Sequence, residues 1–165
     1  MEMSGLVIWS DLHLGHKAIC KYRTQFSTPE EHDEIIYDRL ASSVGKRDSL
    51  WLLGDVAFTK DWLFKIGAIK CAKKTLILGN HDLEGKMKFT DLVGVYDSVQ
   101  SLVSRRNYWF SHCPIHPDEI RGREGVIHGH VHNKSLLDKR YFNACVENTN
   151  YHPITFPAIM ERLND

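Results

Sequence analysis

The sequence lacks most of what would mark a membrane-bound, secreted or nucleic-acid-coating protein. Its longest apolar stretches, such as LVIW and LWLL, fall far short of the roughly 20 residues needed to cross a bilayer. The opening residues, MEMSG, have neither a basic region nor an apolar one, so no signal peptide is expected and the chain reads as cytoplasmic. Cysteine is sparse: four, at 20, 71, 113 and 145, with no C-x-x-C pair. That excludes a zinc knuckle or thioredoxin-type site, and free thiols are expected. There is no excess charge, because 21 Lys and Arg balance 21 Asp and Glu. Neither long nucleic acid nor an anionic membrane is therefore an expected partner. No repeat, low-complexity run or Pro-, Gly- or Ser-rich linker interrupts the 165 residues, so residues 1–165 read as one domain. Histidine is what the chain has in quantity: ten, mostly in a few short motifs.

The hydrophobic pattern predicts an α/β fold. Strands are expected at Leu6–Ser10, Ser49–Leu53 and Thr75–Leu78. TPEEHDEIIYDRLASSV reads as a helix, with Thr28 as N-cap, Pro29 at the first position and Glu31 completing a capping box. Ile35, Ile36, Leu40 and Val44 form its apolar stripe. A second helix, about 61–69, buries Trp62, Leu63, Ile66 and Ile69. Strand–helix alternation makes this half parallel. Beyond residue 93 the pattern changes. YDSVQSLVS, RRN and YWFSH read as a hairpin, and GVIHGHVH and RYFNACV as further strands, expected to be antiparallel. PAIMERL closes the chain as a short helix.

Five apolar runs end on residues that bind metals. LVIWS is followed by Asp11-Leu12-His13, LWLLG by Asp55, and LILG by Asn80-His81-Asp82. YWFS precedes His112, and GVIHG precedes His130-Val131-His132. Ligand crevices of open α/β sheets lie at the carboxyl ends of strands, so these groups can meet. In an extended chain Asp11 and His13 would point to one side, as would His130 and His132. Gly54, Gly79 and Gly129 just before the ligands permit unusual turns. The mixed oxygen and nitrogen set suits Mn, Fe, Zn, Ni or Co better than calcium. It is too large for one catalytic ion, which usually takes three protein ligands, and suits two ions sharing a carboxylate.

D-x-H, G-D, G-N-H-D, a lone His and G-H-x-H, in this order from Asp11 to His132, resemble the calcineurin-like metallophosphoesterase superfamily. SDLHLGHKAI and LWLLGDVAF are also similar to small phosphoesterases of bacteria and their phages. The resemblance implies a sandwich of two mixed β-sheets flanked by helices, with little room for a capping domain. It implies two divalent transition-metal ions, manganese first among them. Asp11, His13 and His132 would hold one ion and Asn80, His112 and His130 the other, with Asp55 between. His81 would act on substrate, protonating the leaving oxygen, and Asp82 would support it from behind. The implied activity is phosphoester hydrolysis by a hydroxide bridging the ions. A phosphodiesterase acting on a small nucleotide or cyclic phosphate is favoured over a phosphomonoesterase or nuclease, in host cytoplasm if a phage encodes it. A non-catalytic metal-binding scaffold for protein partners is the alternative of another class.

Other residues carry less. His16 and Arg23, with Lys17, are candidates to line the pocket, and Arg121 and Arg123 to reach a phosphate. Lys73, Lys74, Arg105 and Arg106 read as solvated surface. His32, His128 and His152 read as structural, and Cys20, Cys71 and Cys145 as small core hydrophobes. ENTNYHP, 147–153, is polar without an evident task.

Overall fold

A computed structural model describes residues 5–164. Strands β1 (Leu6–Trp9), β2 (Ser49–Leu52), β3 (Lys73–Ile77) and β4 (Ser98–Gln100) are joined by helices α1 (Pro29–Ser43), α2 (Lys60–Ala68) and α3 (Phe89–Val93). Then come β5 (Leu102–Arg105), β6 (Tyr108–Ser111), β7 (Gly125–His128), β8 (Tyr141–Asn143), β9 (Ile154–Thr155) and α4 (Phe156–Asn164). One sheet has the order β4-β3-β2-β1-β9, the other β5-β6-β7-β8. In the first, β9 alone runs antiparallel, against β1. In the second, only β5 and β6 are antiparallel. The fold is thus α/β, two mixed sheets with flanking helices.

Alternation along each strand divides the apolar residues between two cores. Leu6 and Ile8 of β1 join Trp51, Ile77, Phe110 and Ile127 between the sheets. Val7 and Trp9 turn the other way, to meet Ile36 and Leu40 of α1 and Leu63 and Ile66 of α2. A strand buried on both faces must be apolar throughout, which is why LVIW has no polar alternation. Helix α1 starts at the predicted Thr28 cap, but Glu31 reaches the amide of Ser27 and not that of Thr28, so the expected capping box is not closed. Thr28 Oγ1 accepts from the Glu31 amide at 3.1 Å, and Glu31 accepts from the Ser27 amide at 2.7 Å. Ile36 and Leu40 are fully buried, while Ile35 and Val44 pack at the margin.

Two expectations need correction. YDSVQSLVS is not one hairpin arm: β4 ends the first sheet and β5 opens the second, with Ser101 as the crossing point. Only β5 and β6 make a hairpin, turned by Arg106 and Asn107 with φ 51° and 67°. Strands β6, β7 and β8 are parallel, not antiparallel. Segment 112–124, which carries a short 3-10 helix at Pro117–Ile120, and segment 129–140 are long enough to serve as the crossovers that parallel pairing requires.

Candidate metal centre

The ligand-type residues follow β1, β2, β3, β6 and β7. These are parallel neighbours within each sheet, so their carboxyl ends open on one side. Asp11 and His13 are not extended as their spacing suggests. Asp11, His13, Asp55, His130 and His132 all have left-handed backbones, φ 52–71°. The Asp11, His13 and Leu14 amides donate to the carbonyls of Gly54, Asp55 and Val56, each at 3.0 Å. Those bonds clamp the turn after β1 against the turn after β2.

The side chains form two clusters. In the first, His13 Nε2 lies 3.7 Å from Asp11 Oδ1, and His132 Nε2 lies 4.0 Å from the same oxygen. In the second, His112 Nε2 lies 3.0 Å from Asn80 Oδ1 and 3.2 Å from His130 Nδ1. Asp55 Oδ2 belongs to both, at 3.8 Å from His13 Nε2 and 3.4 Å from His112 Nε2. Ligands about 2.1 Å from one ion stand about 3.0 Å apart in octahedral and 3.4 Å apart in tetrahedral geometry. The second cluster has those spacings, and the first is wider by a few tenths of an ångström.

In Asp11, Asp55 and His112 the other polar side-chain atom is committed elsewhere, which aims the atom that faces the centre. Asp11 Oδ2 accepts from Ser10 Oγ at 2.6 Å, the His130 amide at 2.8 Å and Cys145 Sγ at 3.1 Å. Asp55 Oδ1 accepts the His81 amide at 2.8 Å, and His112 Nδ1 donates to the Leu53 carbonyl at 2.7 Å. Asp11 Oδ1 and His13 Nε2 are buried without any hydrogen-bond partner. Buried polar atoms are nearly always satisfied, so two orphans facing each other fit a cation. Electrostatics agree. Burial would raise Asp11, but His13, His112 and Ser10 hold its carboxyl far below the usual range. Burial would lower His112, but Asp55 and the charge of Asp11 push it up to about 9. Burial keeps His13 below its ordinary value, neutral and free to coordinate.

His81 sits at the mouth, its side chain 35% exposed. Nδ1 is 2.8 Å from Glu84 Oε2 and Nε2 is 4.0 Å from Asp55 Oδ2. Asp82 makes no side-chain bond to His81. It accepts the amides of Gly79 at 2.7 Å, Asp55 at 3.0 Å and Val56 at 2.9 Å, and so fastens the turn after β3 to the turn after β2. His16 reaches the mouth, its ring 5.0 Å from Phe58, which also lies 5.2 Å from His13 and 5.5 Å from His81.

Three substrate candidates are placed elsewhere. Arg23 is 1% exposed, with its guanidinium on the Asp11 and Leu12 carbonyls and Glu147, so it is a buried strut rather than a substrate contact. Arg123 donates to Ser104 at 2.6 Å and covers Trp109. Arg121 is paired with Glu119 at 2.8 Å. Lys74 is buried, donating to the Gly67 carbonyl, and Arg105 and Arg106 cover Trp51 and Phe156 instead of being merely solvated. Cys145 is buried as expected, yet its thiol bonds Asp11. The sequence assigns no role to Glu84, and marks Glu147 only as the start of a polar stretch without a task. Glu84 falls three residues after His81 and was detectable as a short-range partner, whereas nothing local points to Glu147.

No family model matches the chain. The fold is similar to that of a protein of unknown function, AQ665, from Aquifex aeolicus. The TM-score is 0.76 at 23% identity, covering 96% of this chain and 98% of that one. By sequence, the gene 66 protein of Mycobacterium phage D29 is 37% identical over 165 aligned positions, covering 81% of each chain. The gene 66 protein of Mycobacterium phage L5 is 32% identical over 169, covering 83% of this chain and 82% of the relative. With more than four-fifths of both proteins aligned at these identities, the chain belongs to the family of the mycobacteriophage gene 66 proteins.

Proposed function

We propose that the chain is a metal-dependent phosphoesterase that cleaves small phosphodiesters, such as cyclic or nucleotide phosphates, with two divalent transition-metal ions. The observation that carries this reading is Asp55 Oδ2, a single oxygen shared by two clusters of ligand-type atoms. Asp11, His13 and His132 would hold one ion, Asn80, His112 and His130 the other, and Asp55 both. When bound, such ions polarise phosphate oxygens and lower the pKa of water between them to about 7.

The chain's own groups provide the rest. The His81 amide fixes Asp55, and Nδ1 of the His81 ring lies 2.8 Å from Glu84 Oε2. Nε2 is left facing the mouth, where it can give a proton to the leaving oxygen. That service matters most for the poor alkoxide of a diester. Phe58 and the 78% exposed Tyr22 flank His16 at the rim. Such aromatic faces can stack a base, which favours a nucleotide.

The test is hydrolysis of nitrophenyl phosphate, bis-nitrophenyl phosphate and cyclic nucleotides with Mn²⁺ added. Turnover of the diesters is expected to exceed that of the monoester. Replacing His81 by Ala should keep both ions while slowing turnover about 10²–10⁴-fold, least for good leaving groups. A protein that fills both sites and hydrolyses nothing would instead be a scaffold.

A further inference from the structure

The two imidazoles His112 and His132 are oriented by different means. His112 is held by a backbone carbonyl. His132, whose side chain is 43% exposed, has Nδ1 3.2 Å from Glu147 Oε1. That same oxygen accepts from Arg23 Nε at 2.9 Å. The other guanidinium nitrogens reach the Leu12 carbonyl at 3.0 Å, the Asp11 carbonyl at 2.6 Å and His32 Nε2 at 2.8 Å. His32 in turn meets Asp33 at 2.8 Å, and Asp33 takes the Gly15 amide at 2.8 Å. One buried arginine therefore ties the backbone beneath Asp11 to the side chain behind His132. These two ligands come from opposite ends of the chain and from different sheets.

We propose that Glu147 and Arg23 form a positioning unit for the first ion, acting through His132 and the Asp11 turn. This rests on reading the centre as a two-ion site. A carboxylate accepting Nδ1–H fixes the imidazole tautomer, leaving the Nε2 lone pair for the ion, and raises its basicity. Arg23 balances the charge of Glu147, so the pair orients the ring without adding a net negative field. Asn143 and Asn148 donate to the His132 carbonyl and hold the backbone of the same residue.

The experiment is calorimetric titration of the metal-stripped full chain with Mn²⁺, with circular dichroism as a check of the fold. Wild type should show two binding steps. Glu147→Gln should weaken one of them about 10–100-fold and leave the other unchanged. Glu147→Asp, which keeps the charge, should lose less and serves if the glutamine variant folds poorly. Combined with His132→Ala, Glu147→Gln should add almost nothing, because it acts through that ring. Unchanged steps in Glu147→Gln, equal weakening of both, or full additivity with His132→Ala would overturn the proposal. A wild-type chain that binds no ion would overturn the two-ion reading itself.

Discussion

A left-handed backbone costs an ordinary residue about 1–2 kcal/mol, yet Asp11, His13, Asp55, His130 and His132 all adopt it. Strain of this kind persists where the surroundings over-determine it, often at functional sites. Here the surroundings are the amide bonds between the turns and the glycines beside them. A Cβ on Gly129 would strike Ser10 Oγ and Asp11 Oδ2, and one on Gly79 would strike Asp55 Oδ1. Gly129→Ala should therefore destabilise the metal-free protein by about 1–3 kcal/mol in urea titration. It should also weaken ion binding at Asp11, as read by metal content after gel filtration. A Cβ on Gly94 would meet only carbonyl oxygens at 3.4 Å, so Gly94→Ala is the control with little effect on ions.

At the scale of elements, strong local signals were legible and short or distant ones were not. Helix α1 announces itself through Thr28, Pro29 and Glu31, and Thr28→Ala should cost about 1 kcal/mol in thermal or urea unfolding without loss of ions. Helix α3 and strand β9, five and two residues long, are too brief for periodicity to register. The pairing of β6 with β7 was legible by another route. Both runs deliver a ligand at the carboxyl end, and antiparallel neighbours would have sent His112 and His130 to opposite edges. Arg23 was misread because its partner Glu147 lies 124 residues away, and no local pattern distinguishes a buried guanidinium from an exposed one. The convergence of the five His- and Asp-bearing blocks, by contrast, could be read because each is contiguous with the strand that carries it.

For the whole molecule, which has no net formal charge, pH acts on the centre through His112. Its folded value of about 9 lies above the roughly 6.5 of an unfolded chain. The stability this supplies is complete below about 6.5 and is lost as pH rises through about 9. Metal-free wild type should accordingly exceed His112→Gln in stability most at pH 6, the gap narrowing by pH 10 in urea titrations. An ion at the second position displaces the same proton. Binding at pH 7 should then release a proton, seen as a dependence of calorimetric heat on the buffer's ionisation enthalpy, and the release should fade above about pH 9.

The strut from Arg23 to Glu147 also bears on the order in which the protein forms. The groups of the first cluster span Asp11 to His132 with Glu147 behind them, while strand β1 finds its last neighbour only at Ile154–Thr155. Contacts this far apart in sequence close slowly. A chain emerging from the ribosome would carry Asp11, His13 and Asp55 for most of its synthesis before their partners exist. On the proposed reading, loading with metal would mark the completion of folding rather than its start.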